Sequence, residues 1–183
     1  MNGTGPFVKP AYYGNVFISR FIGSSGRTQI ALQPNADEVN VAYAAYDDGK
    51  LARVALLNML EYNGTTNGTT TDTATIDESS SRRPYTTFKF PAPTGSNVAR
   101  ITTLWAPRAQ ENTTILFDGF SYDYNLAQGR PVRITDDETY AKADSQGMFA
   151  VEVEASTAVI VTVLYGSPSQ KSGLTAFGQQ VLE

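Results

Sequence analysis

The 183-residue sequence contains no histidine and no cysteine, and these absences exclude several kinds of active site. A Ser-His-Asp triad, a Cys-His dyad and a histidine-ligated zinc site each need a residue that the chain does not have. Disulfide bonds cannot form either, so cysteine usage does not indicate a redox compartment. We therefore expect no metal ion and no cofactor.

Charge and long apolar runs are also scarce. Charged residues make up 17% of the sequence and the net charge is -4, with lysine and arginine scattered along the chain. This pattern argues against a nucleic-acid partner, and the Arg82-Arg83 pair is interpreted as part of a solvated loop. No apolar run approaches the ~20 residues of a membrane span, so no membrane partner is expected.

The hydrophobic share of 41% is that of a globular protein. The chain has the length for one sizeable core but is too short for a typical (β/α)8 barrel.

Four N-x-[ST] motifs begin at Asn2, Asn63, Asn67 and Asn112. Each motif is a short and weak signal, but together they favour N-glycosylation and a secreted, extracellular protein. Met1–Pro6 has neither the basic region nor the apolar region of a signal peptide. A signal would therefore lie upstream, which suggests that the chain is a piece of a larger protein.

The first 25 residues form an N-terminal segment with a predicted helix. Pro10 suits its first turn and Gly23 suits the position just past its end. Tyr13, Phe17 and Phe21 recur at intervals of four and form a wide apolar face. A helix with so wide an apolar face usually needs a partner on two sides, and self-association through this face is one way to supply it.

Residues 26–166 alternate with the period of β-strands, and residues 167–183 form a polar C-terminal tail. Asp47-Asp48-Gly49-Lys50 predicts a tight hairpin turn, and residues 61–84 predict a long exposed loop. The fold class is all-β: an antiparallel β-sandwich of about eight strands, of Greek-key type, with one N-terminal α-helix. The segments read as strands are 38–46, 51–60, 85–90, 98–105, 114–117, 120–124, 131–135, 148–154 and 158–165.

Glu152 and Glu154 are the best-spaced pair of carboxylates for a glycosidase. They lie on one face of one predicted strand, roughly 7 Å apart, within the range of an inverting pair. No apolar pocket is implied around either side chain. We therefore favour a solvated strand face over a catalytic pair.

Asp136-Asp137-Glu138, with Asp144 nearby, offers oxygen ligands for calcium, but it lacks the spacing and the glycine of a calcium-binding loop. Aromatic residues offer a second kind of site, because Phe120, Tyr122 and Tyr124 share one face of a predicted strand. Tyr122 and Tyr124 are the candidate glycan contacts. The alternative is that Phe120 and Trp105 fill the core and the tyrosines lie at its edge.

Three stretches resemble the C-terminal β-domain of glycoside hydrolase family 79, the β-glucuronidase and heparanase-like enzymes, in its fungal form. The first is Lys9–Gly14, which resembles the start of the last barrel helix of that family. The second is the aromatic-rich hairpin Val41–Asn58. The third combines Ala106–Ala109, Phe117–Tyr122 and the closing strand Ala155–Val161.

This resemblance implies a retaining hydrolase whose two catalytic glutamates lie on a (β/α)8 barrel outside this chain. The chain itself is then expected to be a non-catalytic accessory domain that braces the barrel, its main partner. Tyr13, Phe17 and Phe21 would be the barrel-packing face of the helix and would be exposed in the isolated chain. The alternative is a stand-alone carbohydrate-binding or lectin-like module that binds polysaccharide through surface tyrosines. An independent enzyme is the weakest hypothesis, because no general acid, base or nucleophile is evident.

Overall fold

A computed structural model describes residues 6–34, 37–63 and 83–166. Within them the chain forms one longer helix, one helical turn and eleven strands. In chain order these are α1 (Pro10–Ile22), β1 (Gln29–Gln33), β2 (Asn40–Asp47), β3 (Lys50–Asn58), β4 (Tyr85–Pro91), β5 (Val98–Trp105), β6 (Leu116–Phe117), β7 (Phe120–Ser121), α2 (Tyr124–Ala127), β8 (Val132–Arg133), β9 (Thr139–Lys142), β10 (Met148–Glu154) and β11 (Thr157–Leu164).

The predicted helix is confirmed at both ends. Pro10 occupies its first position, where a missing backbone N–H costs nothing. Gly23 follows its last residue with a φ of 73°, and its N–H donates to the Ser19 carbonyl over 2.9 Å. No helix of the described part of the chain has the length and apolar character needed to cross a membrane.

Nine strands form one antiparallel sheet in the order β1-β2-β3-β11-β5-β6-β7-β8, and β9 pairs with β5 beside β6. The predicted hairpin turn joins β2 to β3, and both Asp48 and Gly49 have positive φ angles, as a type I′ turn requires. The last strand, β11, lies in the middle of the sheet between β3 and β5.

The remaining strands, β4 and β10, pair antiparallel as a second sheet. Phe149 of β10 lies opposite Phe90 of β4, with ring centroids 5.6 Å apart. Both rings belong to a core between the two sheets that contains no residue of β6, β7 or β8. Its buried members are Ala42, Val54, Leu56, Ala99, Ala141, Phe149, Val151, Val153, Val159 and Val161. The predicted all-β fold with one N-terminal helix is thus confirmed.

Two strands were not predicted, and several predicted strands are shorter in the structure, where 114–117 becomes Leu116–Phe117 and 131–135 becomes Val132–Arg133. β1 is exposed except at Gln33, which is half-buried, so its residues do not alternate between buried and exposed as those of a predicted strand would. β9 has four residues, of which Ala141 alone is buried. The strand predicted over 120–124 ends at Ser121, and Tyr124 begins the short helix α2. The predicted tail 167–183 and most of the predicted loop 61–84 lie outside the described residues.

Candidate docking surface and groove

Helix α1 packs on the nine-stranded sheet of its own chain, on the face opposite the second sheet. Tyr13, Phe17 and Phe21 are only 3%, 6% and 6% exposed, and they share a second core with Ala55 and Ile160 of the sheet. The ring of Phe17 meets Phe117 edge-on, with centroids 6.1 Å apart. The expectation that these three side chains are exposed and await a barrel is therefore wrong, because their own sheet already covers them.

A polar cluster fixes the C-terminal end of α1 to the sheet. Arg53 of β3 donates from Nε to the Phe21 carbonyl (2.7 Å) and from Nη2 to the Ile22 carbonyl (3.1 Å). The same Nη2 is 2.7 Å from Oδ2 of Asp47, whose Oδ1 accepts a hydrogen bond from Thr28 Oγ1. Helix carbonyls that would lack partners inside the helix are thereby satisfied. A Cβ at Gly23 would lie 2.9 Å from the Arg53 guanidinium and would displace it from these hydrogen bonds, and the φ of 73° itself favours glycine.

We expect Asp47→Asn to destabilise the fold by about 1 to 2 kcal/mol at pH 7, since it weakens charge-assisted hydrogen bonds. The hydrogen bond from Thr28 and the nearby Arg53 guanidinium hold the pKa of Asp47 below its ordinary value. Because the folded pKa is the lower one, this stabilisation is present above the unfolded pKa of about 3.9 and is lost as the pH falls through the folded pKa.

Thermal melts of the wild type and Asp47→Asn between pH 3 and pH 7 should therefore converge at the acidic end. Asp48→Asn is the matched control, because Asp48 forms only an exposed ion pair with Arg27 (3.3 Å). If the melting temperatures of the wild type and Asp47→Asn differed by the same amount at every pH, the Asp47 carboxylate would not be the stabilising group.

The side of the domain that carries α1 exposes other apolar side chains. Tyr12, Ile18 and Ile22 of α1 are 41–53% exposed. Ile30 and Leu32 of β1 lie directly opposite Ala45 and Tyr43, which belong to the core under the helix, so they occupy the same face of the sheet. We call these five residues the helix-side surface.

The predicted tyrosine platform does not form on one strand face. Tyr122 packs edge-on against Tyr12 and Tyr13, with ring centroids 5.3 and 5.4 Å apart, and burial raises its pKa. The Tyr13 hydroxyl accepts a hydrogen bond from the Tyr122 N–H over 2.8 Å. Tyr124 belongs to α2 instead. Tyr122 therefore helps to seat α1 on the sheet.

A groove of about 220 Å³ lies on the opposite face of the sheet, at the outer edge of β5. Two short strands share this edge, since β6 pairs with Leu104 and Trp105 whereas β9 pairs with Val98–Ile101. The groove is lined by Ile101, Thr103, Trp105, Leu116, Asp118, Gly119, Thr135, Asp137 and Thr139. Trp105 is half-buried there and belongs to neither core, so the expectation that it fills the core is wrong.

The wall of the groove is held by hydrogen bonds. Both carboxylate oxygens of Asp118 accept from Arg100 Nη2, over 2.9 and 3.1 Å. The Gly119 carbonyl accepts from the N–H groups of Ile134 and Thr135, and a Cβ on Gly119 would collide with the Thr135 carbonyl. The polar groups of this wall are therefore fixed in position.

The carboxylates of the groove and of β10 lack the features of a glycosidase pair. Asp118 and Asp137 line one groove, but both oxygens of Asp118 are bound to Arg100. A general acid of this class is kept protonated by an apolar pocket, whereas Asp137 is exposed to solvent. Glu152 is also exposed, and Glu154 lies 4.0 Å from Arg83.

The acidic run predicted as a calcium candidate is occupied by other contacts. Asp136 pairs with Arg133 (3.2 Å), and Glu138 accepts from the Tyr140 hydroxyl (2.8 Å). Asp144 lies in a separate turn, where it accepts from the backbone of Gln146 and Met148. Within 6–34, 37–63 and 83–166, no three acidic side chains are close enough to hold a metal ion.

The sequence model of the glycosyl hydrolase family 79 C-terminal beta domain matches residues 42–160. The chain belongs to this family. The matched region runs from β2 to β11 and so includes most of both sheets and the groove. Helix α1, which is part of the resemblance seen in the sequence, precedes the matched residues.

Relatives of this family 79 domain include two fungal proteins called β-glucuronidase. The one from Aspergillus niger is 34% identical over 162 residues, which cover 85% of this chain and 29% of the relative. The one from Neurospora crassa is 32% identical over 146 residues, which cover 69% of this chain and 26% of the relative. The chain thus spans less than a third of the curated relatives that it matches.

A solved structure has the same fold as this family 79 domain. It is a 4-O-α-L-rhamnosyl-β-D-glucuronidase from Fusarium oxysporum 12S, described as a complex with Rha-GlcA. The two chains superpose with a TM-score of 0.63 at 21% sequence identity, over 82% of this chain and 29% of that one.

Proposed function

We propose that this chain is the non-catalytic β domain of a secreted family 79 glycoside hydrolase and that it braces the catalytic barrel through the helix-side surface. The exposure of Tyr12, Ile18, Ile22, Ile30 and Leu32 on one side of the domain carries this proposal. Clustered apolar side chains on a soluble domain are typical of a surface that another protein layer covers.

The proposal assigns two layers of contact to α1. Tyr13, Phe17 and Phe21 attach the helix to the β domain, and the residues beside them remain available to the barrel. A helix with a wide apolar face needs partners on more than one side, and the second sheet cannot supply the other partner because it packs on the opposite face of the nine-stranded sheet. The relatives, which are more than three times as long as the matched region, have further chain to provide it.

We expect the double variant Ile18→Lys/Ile22→Lys to abolish docking. The test uses the part of the Aspergillus niger relative that lies outside its match to this chain, expressed separately and mixed with the 183-residue chain. Formation of a complex is followed by size-exclusion chromatography, together with hydrolysis of an aryl β-glucuronide. Two buried ammonium groups without partners should weaken the complex by at least about a hundredfold.

Tyr85→Lys is the control, because Tyr85 is exposed on β4 in the opposite layer. It should leave docking unchanged, and both variants should keep the wild-type melting temperature. Equal complex formation by the wild type and the double variant would refute the role of the helix-side surface. Hydrolysis of the aryl glucuronide by the 183-residue chain alone would refute the non-catalytic assignment.

Secretion is part of the same proposal. Asn112 is exposed, whereas the amide nitrogen of Asn63 donates to Glu61 (2.8 Å). Asn2 and Asn67 lie outside the described residues. Mass spectrometry of the chain secreted from a fungal host should find a glycan on Asn112, and an unmodified Asn112 would count against that site.

The alternative function is that of a carbohydrate-binding module. One of its two candidate glycan contacts, Tyr122, packs against α1 instead. Tyr124 remains a candidate contact. The groove beside β5 offers a different place for a sugar.

A further inference from the structure

We propose that the groove at the outer edge of β5 binds the ring of a neutral sugar, with Trp105, Thr103 and Asp137 as its main contacts. Trp105 and Thr103 are two residues apart on β5 and so point to the same side of the sheet, and Asp137 reaches the groove from the segment before β9. The chain has a single tryptophan, and this half-buried ring is the aromatic side chain that lines the groove.

The lining has the mixed character that a sugar ring requires. A pyranose presents C–H groups on its faces and hydroxyls around its rim. The indole of Trp105, with Ile101 and Leu116, supplies apolar surface, and three threonine hydroxyls both donate and accept hydrogen bonds. A site of this kind, apolar with a few fixed polar groups, is the usual form of a small-molecule pocket.

The charges of the groove favour a neutral ligand over a uronic acid. Asp118 and Asp137 line it, whereas no lysine or arginine does. The Arg100 guanidinium is already bound to both oxygens of Asp118. A ligand carboxylate would therefore meet negative charge, but sugar hydroxyls can donate to Asp137 as charge-assisted hydrogen bonds.

The size and position of the groove fit one ring. Its volume of about 220 Å³ is below that of pockets for drug-sized ligands, which begin at about 300 Å³. It lies on the face of the sheet that carries Val159, whereas α1 covers the face that carries Ile160. A partner on the helix-side surface would therefore leave the groove open. Sugar binding in the groove does not depend on the proposed function.

Sugar binding can be measured by tryptophan fluorescence, because Trp105 in the groove is the single tryptophan of the chain. The chain is titrated with methyl glycosides of glucose, galactose, mannose, xylose, arabinose and rhamnose, and with methyl β-glucuronide. We expect a saturable change for at least one neutral glycoside, with a Kd on the order of 1 mM. Methyl β-glucoside, which differs from the glucuronide only at C6, should bind at least about threefold tighter than the glucuronide.

Two variants that keep Trp105 locate the site. Asp137→Asn should weaken binding of the best glycoside by about tenfold and Thr103→Val by about threefold, with unchanged melting temperatures. Asp136→Asn is the control, because Asp136 is the neighbouring exposed carboxylate but does not line the groove. Tyr124→Ala tests the other aromatic candidate and should leave the affinity unchanged.

Three results would overturn the proposal. The first is the lack of a saturable change with any neutral glycoside up to about 50 mM, a weaker affinity than sugar modules need. The second is tighter binding of the glucuronide than of the glucoside. The third is equal loss of affinity in Asp136→Asn and Asp137→Asn, or a loss confined to Tyr124→Ala.

Discussion

Phe17→Ala is expected to lower the free energy of unfolding by about 3 to 5 kcal/mol, the usual cost of removing a buried phenylalanine ring. Phe17 is 6% exposed and packs on Phe117 of β6 in the core between α1 and the sheet. For a domain whose total stability is about 5 to 15 kcal/mol, this loss removes about a fifth of it or more. Urea denaturation followed by circular dichroism measures the change.

Ile18→Ala is the matched comparison, because Ile18 is the next residue of the same helix but is 53% exposed. It should change the stability by less than about 0.5 kcal/mol. If Phe17→Ala lowered the free energy of unfolding as little as Ile18→Ala, α1 would not pack stably on the sheet. Phe17 would then again be a candidate for contact with a barrel.

Phe149→Ala is expected to cost about 3 to 5 kcal/mol in the other core. Phe149 is fully buried and meets Phe90 between the two sheets. The second sheet has only two strands, so little surrounding structure can move in to fill the cavity. The expected result is a cooperative shift of the urea midpoint with little change in the slope of the transition.

Phe7→Ala serves as the control for the same substitution at a surface position, since Phe7 is 56% exposed. Its effect should stay within about 0.5 kcal/mol. A Phe149 variant with the stability of the Phe7 variant would mean that the β4–β10 layer does not pack on the larger sheet as described.

The parts of the fold that the sequence predicted well have strong local signals. Pro10 and Gly23 mark the ends of α1 through their own backbone preferences. Strand β10 was predicted from its alternation, with Phe149, Val151 and Val153 inward, and β11 from its nearly continuous run of apolar residues. The hairpin turn was readable because Asp48 and Gly49 are residue types that accept a positive φ.

The sequence could not show which layer covers which face. Tyr13, Phe17 and Phe21 were correctly expected to be an apolar face, but periodicity does not identify the partner of that face. Here the partner is the chain's own sheet, and the apolar side chains of the helix that stay exposed are Tyr12, Ile18 and Ile22 beside them. Strand β1 was missed because an exposed edge strand has no buried side to alternate with.

The groove could not be predicted from the sequence, because three segments that are far apart in the chain form it. Residues 101–105, 116–119 and 135–139 meet there only because β6 and β9 share one edge of β5. Trp105 and Ile101 lie on one face of β5, as their spacing of four residues requires. The short length of β6 and β9, which leaves part of that face uncovered, has no signature in the pattern of apolar residues.

The central place of β11 has a consequence for how this domain is made. β11 joins β3 to β5, yet among the described strands it is the last to leave the ribosome, and its pairing with β3 connects residues about a hundred positions apart in the chain. Until residues 157–164 emerge, β3 and β5 lack the strand that pairs with both of them. Such long-range closure slows folding and exposes those two strands to other chains in the meantime.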